Sequence, residues 1–268
     1  MPVMATWSLQ AFNTATHSDN KIHDDEVASR FGFTGGLVPG VDVYAYLTHL
    51  PAEAWGEAWL ARGRMRGRFL TPVYDGETVT VAATSHVEDD DGVHVDLEVR
   101  NAAGDVCAVG TATLPDEEVA QPSAALWPDV AQAKDRPPAS PLSLAVGTAF
   151  GLAPHGFHAA KAGEYLDAVR ETLPLYASFA HPGWLLRHAN YVLASNVVLG
   201  PWIHVESATQ HFSVVRDGQV VSARALVTRE WEHKGHRFVS LDVALLADGA
   251  VAARVQHTAI YAPRQVTS

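Results

Sequence analysis

A histidine flanked by carboxylates stands near the start of the chain. Ser18, Asp19, Asn20, Lys21, Ile22, His23, Asp24 and Asp25 form one polar cluster, and a glycine-rich turn leads from it to Pro39-Gly40. Proline fits the first turn of a helix, where its missing N–H costs nothing, so a helix is expected to open at Pro39-Gly40. The unpaired N–H groups of a helix start favour negative charge. Histidine changes charge near neutral pH and can take or return a proton. A proton-transfer group beside such a helix start is equipment for acid–base chemistry on a carbonyl compound. Asp24 and Asp25 have a plainer use, as acidic residues in the first turn of a short helix over 24–30.

These groups must be positioned by a chain of 268 residues, 47% hydrophobic and 18% charged, which is enough apolar material for one large domain or two small ones. The net charge of −11, with no basic run, argues against nucleic acid and against an anionic membrane surface. With a single cysteine, Cys107 in the strand pattern CAVGTATL, an intrachain disulfide and a cysteine metal cluster are both excluded. The first residues, MPVMATWSLQAF, lack a basic stretch followed by a long apolar run. No signal peptide is therefore expected, no apolar stretch reaches membrane-spanning length, and the cytoplasm is the expected compartment.

The hydrophobic pattern divides the chain into two alike halves. After the Pro39-Gly40 helix, with Leu37, Val41, Tyr44, Ala45 and Thr48 at helical spacing toward the core, strands are expected over 66–72, around 79–83, over 93–99 and over 107–114. Val93, Val95, Leu97 and Val99 alternate with His94, Asp96, Glu98 and Arg100, the pattern of a strand with one buried face. Residues 115–142 have scattered prolines and no period, and read as a linker crossing the surface. Then the landmarks return. Pro39-Gly40 recurs as Pro182-Gly183, the turn at Asp75 as Asp217 and the strand at Val95 as Val239, at offsets of 182 − 39 = 143, 217 − 75 = 142 and 239 − 95 = 144. Three landmarks at nearly one spacing indicate an internal duplication. Each half is a helix followed by antiparallel strands, and two such units can pair edge to edge in one sheet.

This organisation, with the run Ser18–His23 and Pro39-Gly40, resembles the MaoC-like (R)-specific enoyl-thioester hydratases and dehydratases in their double-hotdog form. The resemblance implies an α+β fold in which two helix-plus-antiparallel-sheet repeats form one continuous sheet around two central helices. It places an N-terminal repeat with the hydratase-like motif at 1–114, the linker at 115–142 and a degenerate C-terminal repeat at 143–268. By the same resemblance His23 matches the catalytic histidine, Asn20 the motif asparagine and Gly40 the glycine whose N–H polarises the thioester carbonyl. The family's aspartate aligns with Ser18, and Asp19 stands one residue late, so Asp19 and Ser18 are both candidates for that role.

The implied reaction adds water to a 2-enoyl thioester, or removes it from a 3-hydroxyacyl thioester. Coenzyme A or an acyl carrier enters only as part of the substrate, and no other cofactor and no metal is expected. A hotdog thioesterase using Glu171 or Asp167, and a non-catalytic acyl-CoA-binding module, are the alternatives. In the second half, Tyr165, Tyr176, His181, Trp184, His188, Asn190, Trp202 and His204 form a further polar and aromatic set, with Trp184 and Trp202 as candidate walls of an acyl pocket. Arg62, Arg64, Arg66 and Arg68, alternating along a strand, are candidates for holding a coenzyme A nucleotide or, more simply, form an ordinary solvated strand face. Monomer and homodimer are both compatible with a chain that contains its own pseudo-dimer.

Overall fold

The computed structural model describes residues 4–265. Residues 1–3 and 266–268, the outermost residues of the two expected halves, lie outside the described residues.

The first half runs β1 (Trp7–Gln10), α1 (Asp25–Ser29), α2 (Gly40–Arg62), β2 (Arg64–Phe69), β3 (Thr78–Asp89), β4 (Gly92–Asn101) and β5 (Val106–Leu114). The second runs β6 (Ala149–Gly156), α3 (Gly163–Ala168), α4 (Pro182–Ala194), β7 (Ile203–His211), β8 (Val220–His233), β9 (His236–Ala247) and β10 (Ala250–Ala262). All ten strands join one antiparallel sheet in the order β1-β3-β4-β5-β2-β7-β10-β9-β8-β6. The seam between halves is β2 against β7, with Met65 opposite Thr209 and Gly67 opposite Ser207. Each half thereby covers an edge that the other would leave unpaired.

The duplication repeats down to single hydrogen bonds. Val38 N–H donates to Val73 O at 2.8 Å, and Ala180 N–H to Val215 O at 2.9 Å. Gly76 N–H donates to Ala11 O, and Gly218 N–H to Phe157 O, both at 2.9 Å.

Both long helices lie against the sheet's inner face. Helix α2 is buried without a break from Val41 to Ala52, as expected of a helix that is apolar on most of its circumference. Pro51 sits inside it, and Gly56, at φ 54°, kinks it before its last turns. In β4 the buried residues are Val93, Val95, Leu97 and Val99, in keeping with a strand covered on one face. In β9 the outward residues Ala244 and Leu246 are buried as well, because Trp127 of the connecting segment covers them. Trp127 Nε1 donates to Asp242 O at 3.1 Å and Gln121 Nε2 to Val251 O at 2.7 Å, which ties that segment to the outer face of the second half. Among the described residues no helix is long and apolar enough to cross a membrane.

Candidate functional site

Two chambers meet where the first half faces α4. The inner one, about 300 Å³, is lined mainly by apolar groups, among them Ile22, Phe33, Val43, Phe69 and Ile260. The outer one, about 610 Å³, is lined by Ser18, Asp19, Arg136, Arg187 and Tyr191 among others. Five residues border both: Asn20, His23, Pro39, Asn190 and Trp202.

His23 ends a short 3-10 turn over Lys21–His23. Its Nδ1 lies 2.6 Å from Leu37 O. A carbonyl oxygen only accepts, so Nδ1 carries the hydrogen and Nε2 presents its lone pair. Burial lowers the His23 pKa from its ordinary 6.5, partly opposed by the Leu37 hydrogen bond and the negative charge of Asp42. The ring is therefore a neutral base near pH 7. Gly36 makes this arrangement possible: a Cβ there would stand 2.1 Å from His23 O.

Asn20 clamps the motif to the other half. Its Oδ1 accepts from Trp202 N–H at 3.1 Å and its Nδ2 donates to Trp202 O at 2.9 Å. The same Nδ2 is 3.3 Å from His23 Nε2. With both ends of its amide engaged, Asn20 positions His23 and the chamber wall rather than serving as a free donor to substrate. Ser18 Oγ donates to Asn20 O at 3.2 Å. Asp19 is exposed on the wall of the outer chamber. The other two carboxylates of the cluster hold backbone: Asp24 Oδ1 accepts from Val27 N–H at 3.1 Å, and Asp25 Oδ1 from Gly36 N–H at 2.6 Å.

Gly40 begins α2 on the wall of the inner chamber. Pro39 O accepts from the N–H groups of Asp42 and Val43. Those of Gly40 and Val41 have no acceptor among the described residues, so the start of this helix is open to an anionic or polarised oxygen. A Cβ on Gly40 would lie 3.0 Å from His204 Nδ1 and 3.1 Å from Phe69 Cε2. Glycine there keeps these rings tight against the helix start.

Asp42, in the first turn of α2 and fully buried, was passed over in the sequence, although a carboxylate within an apolar helical run is itself a signal. Arg187 Nη2 on α4 donates to its Oδ1 at 2.7 Å, and Thr14 Oγ1 donates to its Oδ2 at 2.6 Å. This buried pair joins the two halves behind the outer chamber. His204 likewise carried no assigned role in the sequence reading. It lines the inner chamber, with Nε2 2.8 Å from Ser207 Oγ, itself 2.9 Å from His257 Nδ1. Cys107 also lines that chamber, and burial pushes its thiol up to about 11, which keeps it protonated.

The second helix start is closed. His181 Nδ1 accepts from Gly183 N–H at 3.0 Å and lies 3.4 Å from Tyr165 OH. A Cβ on Gly183 would stand 2.4 Å from that hydroxyl and 2.6 Å from Ala45 Cβ. Glu171 sits behind, its Oε2 3.1 Å from His49 Nδ1 and 3.6 Å from His181 Nε2. Burial opposes its charge, but the two imidazoles hold its carboxyl well below the usual range. Glu171 borders neither of the two chambers.

Two further expectations are corrected. Trp202 walls both chambers, but Trp184 does not; it packs on Phe157 and His188. Arg64, Arg66 and Arg68 alternate with the inward Met65 and Gly67 and so project from the outer face, away from the helices. Arg64 pairs there with Asp91 and Arg66 with Glu206, while Arg62 Nε bonds Pro115 O. The arginines bordering the outer chamber are Arg136 and Arg187.

No family model matches the chain, and no curated protein sequence matches it. Solved structures do. A MaoC-like dehydratase is similar over 97% of this chain and 98% of its own, with a TM-score of 0.63 and 10% identity. A conserved hypothetical protein of Mycobacterium tuberculosis, described as having a double hotdog fold, covers 97% of this chain and 96% of its own, with a TM-score of 0.61 and 12% identity. This chain is a double hotdog. A provisionally named thioesterase of Novosphingobium aromaticivorans has the same likeness, with 96% of this chain and 95% of its own covered, a TM-score of 0.57 and 11% identity. At such identities the likeness concerns the fold, and the chemistry of this double hotdog has to be argued from its site.

Proposed function

We propose that the chain is a hydratase/dehydratase, a carbon–oxygen lyase that adds water to a 2-enoyl thioester or removes it from a 3-hydroxyacyl thioester. One observation carries the reading. Nε2 of a neutral, half-buried His23 and the unpartnered N–H of Gly40 border the same apolar chamber. Addition of water to an enoyl thioester needs a base at the β-carbon and a donor at the carbonyl oxygen.

In this reading the acyl chain lies in the inner chamber and the pantetheine arm leaves through the outer one. As Nε2 of His23 exchanges its long, 3.3 Å contact with Asn20 Nδ2 for water, it takes a proton from that water while the oxygen bonds the β-carbon. The electron pair of the double bond moves to the carbonyl oxygen, where Gly40 N–H stabilises it. The α-carbon then receives one proton, so none is consumed overall. The imidazolium can return that proton from within the chamber, and Asp19 is the acid on the outer wall. No metal and no redox cofactor enters this scheme, and coenzyme A or an acyl carrier arrives with the substrate. Arg136 and Arg187 give the outer chamber a basic border.

The test is a steady-state assay on a panel of 2-enoyl-CoA thioesters, following enoyl absorbance and free thiol together. Enoyl absorbance is expected to fall without thiol release, and His23→Ala to lower kcat by about 10²- to 10⁴-fold. The rate should hold from neutral pH to below 6.5 before it declines, because burial keeps His23 unprotonated. Activity lost in Asp19→Asn would assign the proton return to Asp19, and activity retained would assign it to His23. Thiol release without hydroxyacyl product, or full activity in His23→Ala, would refute the proposal.

A further inference from the structure

Asn190 lies on α4, in the other half of the molecule from His23, and is one of the five residues that border both chambers. Its Oδ1 is screened from bulk solvent and has no hydrogen-bond partner. Buried amides are ordinarily satisfied, and an orphan calls for a missing partner. Nearby polar groups do not supply one. Asn20 is engaged with Trp202 and His23, and Arg187 is bonded to Asp42 and Thr14. The position 143 residues earlier, by the spacing that relates Pro39 to Pro182, is the buried Leu47. The duplicated helix thus carries an apolar residue at this place, and only the helix that faces the open site carries an amide.

We infer that the Asn190 amide holds the oxygen that is added at, or removed from, the β-carbon of the substrate. The inference deepens the hydratase reading and rests on it. Water has two hydrogens to place. If Nε2 of His23 takes one, a second polar partner must hold the oxygen so that its lone pair faces the β-carbon. After addition, the new hydroxyl keeps one hydrogen and two lone pairs, and the same amide can bond it. A hydroxyl held by a desolvated amide is favoured over a hydrogen at the same carbon, since the analogue without it leaves the amide unpaired. The chamber should therefore discriminate 3-hydroxyacyl from saturated acyl chains of equal length.

The discrimination is measured by calorimetry with 3-hydroxyacyl-CoA and saturated acyl-CoA pairs of four to eight acyl carbons. The His23→Ala background keeps the ligands from turning over. The hydroxy ligand is expected to bind about tenfold or more tightly, and Asn190→Leu in that background to reduce the ratio to near one. Circular dichroism and urea unfolding confirm that the variants fold. In the otherwise native chain, Asn190→Leu is expected to lower kcat by about 10²-fold, with a smaller change in KM. A ratio unchanged by Asn190→Leu, or no preference in the parent, overturns the role of Asn190, and enoyl turnover in the native chain would then leave the hydratase reading standing. A preference that depends on Asn190 in a chain that turns over no enoyl thioester upholds the contact and refutes the reaction. No binding of either ligand series overturns both.

Discussion

Lowering the pH should unfold this protein through its histidines, well before its carboxylates matter. His188, His211 and His257 are buried, and burial lowers their pKa values to about 4, about 4 and about 3, against 6.5 ordinarily. The sign follows from proton uptake. Below pH 6.5 the unfolded chain binds protons at these rings and the folded chain does not, so stability falls as pH falls. At 1.36 kcal/mol per pH unit, each ring disfavours the fold by about 2 kcal/mol at pH 5. The three together reach about 6 kcal/mol at pH 5 and about 9 at pH 4, against a total stability of about 5–15 kcal/mol. Burial lowers the pKa values of His23, His181 and His204 too, which adds in the same direction. Urea unfolding at pH 7, 6 and 5, followed by tryptophan fluorescence, reads the effect directly. The midpoint should drop steeply over the last unit. His211→Leu should recover about 2 kcal/mol of the loss between pH 7 and pH 5. A midpoint that is flat from pH 7 to 5, or a pH slope unaltered in His211→Leu, would refute the argument.

Two further predictions concern the site. Asp42→Ala leaves the Arg187 guanidinium unpaired against α2, and Arg187→Met leaves a fully buried carboxylate. Each should cost about 3–5 kcal/mol, and the double variant should cost about 3 kcal/mol less than the sum of the two; additive losses in urea unfolding would show that the pair is not coupled. Gly40→Ala puts a methyl 3.0 Å from His204 Nδ1 and 3.1 Å from Phe69 Cε2. Overpacking should destabilise by about 1–3 kcal/mol, partly offset by the better helix propensity of alanine. The kcat should fall at least about tenfold, since His204 and Phe69 must shift beside the carbonyl donor; unchanged kcat in a folded variant would remove Gly40 from that role.

The halves were legible in the sequence because β structure repeats a simple physical pattern. Val95 and Val239, Asp75 and Asp217, and Pro39 and Pro182 each mark a strand face, a turn or a helix start, and these are dictated locally. The loop place of His23 and the helix start at Gly40 were legible for the same reason, whereas the chemical roles proposed for them came from the family resemblance. What crosses between halves was not legible. Asn20 gripping the Trp202 backbone, Arg187 reaching Asp42, and Asn190 bordering the same chambers as His23 depend on how the halves meet across the β2–β7 seam, whose register no local pattern encodes. The arginines of β2 were legible too: their alternation with Met65 and Gly67 pointed to a solvated strand face, and that is where Arg64, Arg66 and Arg68 lie.

The closed helix start explains why one chain needs two repeats for one site. At Gly183 the donor is capped by His181, Tyr165 fills the space a ligand would need, and Glu171 anchors the plug with two imidazoles. A buried polar cluster built on a carboxylate is a poor source of net stability compared with apolar packing. Its effect is to fix shape. It holds α4 rigid against α2, and α4 is the element that presents Arg187 and Asn190 to the open side. The next strand begins beside Trp202, which Asn20 clamps to the motif. In the proposed hydratase the first repeat therefore supplies the base and the carbonyl donor, and the second supplies the opposite wall. Neither could form the chambers alone, because every residue that both chambers share comes from the contact between them or from the motif pressed against it.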